Sequence, residues 1–185
     1  MYERKWLQAT MSTDEFIKGY VDVSRFLGYC RQCPNYNKNW GCPPYDFESS
    51  DIWSSYKSIY ILALRISVDT KIPGKTYSKK QLSSIYLQYL QIESDRLYRK
   101  LKQMEGEIPG SLLLYPGKCH LCGSMPCTRI KGLPCRHLRE LRYSIEALGG
   151  DVSLLVSRLF KQELQWVNGD KLPDYLYQVG GLLCR

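Results

Sequence analysis

A chain of 185 residues is long enough for one domain with its own hydrophobic core and short for two, so a single domain over 1–185 is expected, with no disulfide framework needed for stability. No apolar run reaches the length of a membrane span, and the amino terminus, Met1-Tyr-Glu-Arg-Lys-Trp6, lacks the apolar stretch of a secretion signal; the expected home is a reducing cytoplasm, where eight cysteines mean metal or redox chemistry. The formal net charge of +8 counts every thiol as neutral, and it falls to about +4 if two cysteine groups each hold a centre of charge about −2. The basic excess leaves nucleic-acid binding open. No stripe of Arg and Lys interleaved with aromatic residues stands out, however, and the 15 tyrosines are scattered.

In chain order, residues 1–28 read as a short extended piece followed by a short helix capped at Ser12 or Thr13, with Asp14 and Glu15 favourable in its first turn. The first cysteine group follows at 29–45: Cys30 and Cys33 form C-x2-C, and Cys42 precedes two prolines. Proline after a metal-binding cysteine turns the chain away and offers no competing N–H. A short helix between Phe47 and Tyr56 leads into the apolar, β-branched run Ser58–Val68, a buried strand. After the Ile72-Pro-Gly-Lys turn, Ser78 and Gln81 supply a capping box. Leu82, Tyr86, Leu90, Leu97, Leu101 and Met104 then recur at helical spacing up to Gly106. Ser111–Tyr115 is a second buried strand, so strand, long helix and strand predict a βαβ crossover between parallel strands.

That strand delivers the chain into Gly117–Cys135, the densest chemistry in the sequence. Cys119, Cys122, Cys127 and Cys135 stand at C-x2-C-x4-C-x7-C among Gly117, Gly123, Pro126, Gly132 and Pro134. Neither helix nor strand runs through so many breakers, whereas thiolates two residues apart on a turn reach one metal together and the backbone N–H groups face their sulfurs. Buried or disulfide-bonded cysteines are the plainer alternative. Beyond Cys135, Leu138, Leu141, Ile145 and Leu148 predict a helix stopped by Gly149-Gly150, with Arg136, Arg139 and Arg142 on or beside it as a solvated face or a docking face. Asp151 caps a further helix carrying Val152, Leu155, Leu159 and Phe160. Gln162–Val167, the turn residues Asn168-Gly-Asp170 and Tyr175–Leu183 predict a closing hairpin. The fold class is α+β: a small mixed sheet with a βαβ crossover and a C-terminal hairpin, flanking helices and two cysteine loops, at 29–45 and 117–136.

Cysteine-only groups favour zinc or iron–sulfur over harder ions. Two C-x2-C knuckles suit one zinc ribbon but leave Cys42, Cys127 and Cys135 without a role; two iron–sulfur sites account for more of the sulfurs. Cys30, Cys33 and Cys42 are one ligand short of a closed tetrahedral site. Either a fourth comes from Cys184, His120 or His137, or one position is open, as in reactive centres.

Three segments together carry a resemblance: Cys30-Arg-Gln-Cys-Pro-Asn-Tyr-Asn-Lys-Asn-Trp-Gly-Cys-Pro-Pro44, Gly117-Lys-Cys-His-Leu-Cys122, and Gly132-Leu-Pro-Cys-Arg136 running on to Asp151-Val152. They resemble the uncharacterised cysteine-rich family of anaerobic bacteria and archaea labelled predicted metal-binding protein. Ile145 and Gly150 replace a Met and an Ile of that family's pattern, and every motif cysteine is in place. The resemblance implies metal binding and no established reaction. From the residues, the expectation is one or two 4Fe-4S clusters on Cys30, Cys33, Cys42, Cys119, Cys122, Cys127 and Cys135, serving electron transfer with a redox partner protein. A zinc-stabilised module contacting nucleic acid or protein is the alternative. An enzyme with an open-site iron–sulfur centre is a third, although no catalytic triad, phosphate loop or carboxylate pair assigns a catalytic residue.

Overall fold

The computed structural model of the chain describes residues 2–67, 77–165 and 173–185. The Ile72-Pro-Gly-Lys turn and the segment with Asn168-Gly-Asp170 lie outside the described residues. The chain begins with a ten-residue strand, β1 (Glu3–Ser12), where the sequence suggested only a short extended piece. It passes through α1 (Thr13–Tyr20), α2 (Val23–Gln32) and α3 (Ser49–Ser54) to β2 (Ser58–Ser67), then α4 (Lys79–Glu107), β3 (Leu112–Leu114), α5 (Val152–Phe160) and β4 (Tyr175–Cys184). Local chemistry explains the helix starts. Ser12 Oγ accepts from Glu15 N at 3.2 Å and Glu15 Oε2 from Ser12 N at 3.1 Å. The same reciprocal box joins Ser78 and Gln81, and Asp151 Oδ1 accepts from Leu154 N at 2.8 Å.

The four strands form one sheet in the order β1-β2-β4-β3. The α+β class holds, with one correction: every neighbouring pair is antiparallel, so the sheet is not mixed. Strands β2 and β3 do run parallel across the α4 crossover, but β4 lies between them and bonds both. Among the described residues the predicted closing hairpin is not formed: the partners of β4 are Ser58–Ser67 and Leu112–Leu114, and Gln162–Gln165 carry no strand. The reason is burial on both faces. Alternation sends Leu62, Leu64, Ile66, Leu176 and Leu182 toward Leu90, Leu97 and Leu101 of α4. It sends Ile59, Ile61, Ala63, Val179 and Leu183 toward Phe16, Trp53, Leu155 and Val156 of α1, α3 and α5. A strand apolar on both faces belongs in the middle of a sheet. Among the described residues no helix is long and apolar enough to cross a membrane.

The second correction falls after Cys135. No continuous helix forms over Leu138–Leu148, only turns and a 3-10 turn at Glu146–Leu148. Tyr143 bridges Leu114 in parallel, and its carbonyl accepts from Tyr115 N at 2.7 Å. Extended backbone at that point is incompatible with a helix through it, and Leu138 is left 69% exposed while Ile145 and Leu148 are fully buried. This bridge closes residues 116–142 into an excursion off the β3 edge.

Candidate metal centre

Two clamps set the excursion on the body. Arg142 grips Glu105 of α4 through both nitrogens, at 2.6 and 2.9 Å, and Glu105 also accepts from Leu113 N at 2.8 Å and Lys102 Nζ at 2.6 Å. Burial pushes the Glu105 carboxyl up, but these donors more than compensate and hold it below its usual range. Tyr143 packs edge-on against Tyr45 and Phe47, with ring centroids 5.2 and 5.5 Å away, which ties the return of the second cysteine loop to the exit of the first.

Within the excursion the chain turns tightly around Cys122 and Cys127: Gly123 N donates to His120 O at 2.9 Å, Met125 N to Cys122 O at 3.1 Å and Ile130 N to Cys127 O at 3.2 Å. Gly123 takes a φ of 58°, a left-handed conformation that suits glycine. Cys119, Cys122, Cys127 and Cys135 together line a cavity of about 630 Å³. Donors already address the sulfurs: His137 N–H points at Cys135 Sγ (3.4 Å) and Arg136 Nη1 at Cys122 Sγ (3.8 Å). Burial, followed by the charges of Cys135, Cys122 and Cys127, pushes the Cys119 thiol up.

The first cysteine group is less of a loop than its sequence suggested. Cys30 lies in the last turn of α2, Cys33 caps that helix with its N–H on Cys30 O at 3.0 Å, and Asn35 Nδ2 reaches Cys33 Sγ at 3.7 Å. Cys42 follows a turn in which its N–H donates to Asn39 O at 3.0 Å. Its thiol is pushed up to about 11, by burial first and then by Cys33, Cys30 and Cys119.

The two groups, distant in sequence, thus meet at Cys42 and Cys119. A Cβ on Gly41 would lie 3.0 Å from Cys119 Cβ and 3.2 Å from Arg142 O, so the close approach of the loops requires glycine there. Asn39 Nδ2 donates to Cys119 O at 3.1 Å, and Trp40 Nε1 donates to Leu133 O at 3.1 Å. Arg129 binds most of all. It donates to Asn37 Oδ1 (3.2 Å), Asn39 O (3.2 Å), Cys42 O (2.6 Å) and Pro44 O, with its guanidinium 4.8 Å from the Trp40 ring centroid. Arg129 had no signal in the sequence, because all its partners come from the other loop.

Of the remaining candidates, only Cys184 lies apart from both groups. Cys184 ends β4, half-buried beside Leu62, Leu97 and Leu101, and burial alone pushes its thiol up. His120 lines the four-cysteine cavity but is wedged between Tyr115 and Tyr98, with ring centroids at 4.5 and 5.0 Å. Its Nδ1 is buried without a partner among the described residues. Also among the described residues, no three His, Cys, Asp or Glu side chains converge closely enough to hold a single metal ion. The seven thiols instead form two neighbouring groups, one of them around a cavity.

The raised Cys42 thiol has a consequence for the metal-free protein. Below pH 9.0 the thiol is protonated in both folded and unfolded chains; between 9.0 and about 11 the unfolded chain ionises first, so stability is lost as pH rises through that window. The expected loss is about 2 kcal/mol. Urea unfolding at both ends of the window should show it, and Cys42→Ala should abolish that part of the difference.

Fold and site together define a cysteine-rich α+β metal-binding protein. Residues 18–184 match the model of the family described as predicted metal-binding protein (DUF2284), and the chain belongs to that family. No curated protein and no solved structure matches it.

Proposed function

We propose that Cys119, Cys122, Cys127 and Cys135 hold one iron–sulfur cluster, that Cys30, Cys33 and Cys42 hold a second centre, and that the protein transfers electrons in the cytoplasm. The observation that carries this reading is the junction of the two groups at Cys42 and Cys119. A single structural ion needs no such neighbour, whereas two adjacent centres make a short electron path. The cavity of about 630 Å³ that these four cysteines line together with Asn39, Trp40 and His120 has room for a cluster beside the thiols. Such a cluster, when bound, accepts and returns an electron at a potential set partly by hydrogen bonds to sulfur. Here His137 N–H and Arg136 supply those bonds, and Arg129 and Asn39 hold the two groups in register.

The outer face of the excursion suits a partner. Met125, Ile130, Leu133 and Leu138 are all more than half exposed, and Lys118, Lys131, Arg136 and Arg139 stand exposed around them in a segment with no Asp or Glu from Pro116 to Arg139. An apolar patch with a basic rim favours an acidic redox protein, and electron exchange with one should slow as salt is added.

The deciding measurement is iron, zinc and acid-labile sulfide per chain, with a visible spectrum, on protein purified without oxygen. Iron with matching sulfide and absorbance that fades on reduction is expected. Zinc without sulfide or colour would overturn the electron-transfer reading.

A further inference from the structure

We propose that the Glu146 carboxylate is the fourth ligand of the centre formed by Cys30, Cys33 and Cys42. The inference rests on reading those thiols as a metal centre, which leaves a tetrahedral site one donor short. Of the donors suggested by sequence, Cys184 lies on the α4 face, and His120 and His137 belong to the four-cysteine loop, His120 lining its cavity and His137 donating its backbone N–H to Cys135 Sγ. Glu146 is placed by the fold instead. It opens the 3-10 turn Glu146–Leu148, which is pinned to the start of α2: Asp22 N donates to Gly149 O at 2.8 Å, and Val21 bridges Gly150. A Cβ on Gly149 would lie 2.7 Å from Val23 Cα, so this contact allows no side chain between the segments.

The result is a cavity of about 160 Å³ that Glu146 shares with Glu48, with Cys30, the one thiol of the three that lines it, and with Pro43, Pro44 and Tyr45, the residues that leave Cys42. No Lys, Arg or His lines it. Glu146 Oε2 is buried there with no hydrogen-bond partner among the described residues. A carboxylate oxygen buried with neither donor nor cation is destabilised as an anion. A metal held by Cys30 meets that need, and carboxylate oxygen joins thiolate in the ligand sets of zinc and iron. Burial favours the neutral acid, against the hydrogen bonds that the carboxyl takes from its own N–H and from Ser144, so the rival account is a protonated, purely structural side chain.

Glu146→Gln separates the two, because glutamine keeps the shape and neutral hydrogen bonding of the acid and is a poor ligand. Glu146→Cys supplies a thiolate instead. Each variant, together with Cys30→Ser and the unsubstituted protein, would be loaded anaerobically with ferrous iron and sulfide, then assayed for iron per chain and visible spectrum, with circular dichroism to check folding. The expected result is that Glu146→Gln loses the same iron as Cys30→Ser, while Glu146→Cys keeps it with a shifted spectrum. Wild-type iron and spectrum in Glu146→Gln, or a folded Glu146→Cys with no more iron than Cys30→Ser, would overturn the assignment. If Cys30→Ser itself loses no iron, the three-cysteine centre falls and Glu146 with it.

Discussion

Cys122→Ser should lose about half of the bound metal, the share held by Cys119, Cys122, Cys127 and Cys135, and leave the fold standing. A serine hydroxyl does not ionise near neutral pH, so the cavity keeps three thiolates and loses the sulfur toward which Arg136 points. The fold survives because no residue between Pro116 and Glu140 belongs to any of the three hydrophobic clusters that cover the sheet. Metal and sulfide per chain, measured beside far-ultraviolet circular dichroism, read both halves of the expectation. Metal content equal to that of the unsubstituted protein would remove these thiols from the site.

Arg129→Ala should weaken metal binding at Cys30, Cys33 and Cys42 by about 10- to 100-fold, the usual cost of losing a group that positions ligands. Among the described residues Arg129 donates to oxygen and to no sulfur. It donates instead to the carbonyls of Asn39, Cys42 and Pro44, and its removal leaves three acceptors of the first loop without their charged donor. Lysine should not rescue, since one ammonium on a flexible stem cannot reproduce a planar fork that also lies on Trp40. Chelator competition measures the affinity, and limited proteolysis should find the segment between Cys33 and Pro44 newly open. Unchanged affinity in Arg129→Ala would mean that the first loop holds its shape without the second.

The Glu105 clamp works at the same level. It touches no thiol, yet it fixes Arg142, whose carbonyl lies against Gly41, and so it sets where the return of one loop meets the other.

Short-range chemistry could be read directly from neighbouring residues. The boxes at Ser12/Glu15 and Ser78/Gln81, the Asp151 cap, the apolar strands around Ile61 and Leu113, the turn-rich spacing of Cys119–Cys135 and membership of a metal-binding family were all legible from residues a few positions apart. Long-range packing settled the rest. The turn residues ahead of Tyr175 argued for a local hairpin, but β4 gains more by inserting between β2 and β3, where Leu182 and Leu183 are buried on opposite faces. The helical spacing of Leu138–Leu148 was overridden by one extended pairing at Tyr143. The meeting of Cys42 with Cys119, the grip of Arg129 and the burial of Glu146 beside Cys30 all join residues that no local pattern links. Their positions follow from how the sheet orders its strands, and that order depends on which faces can be buried together.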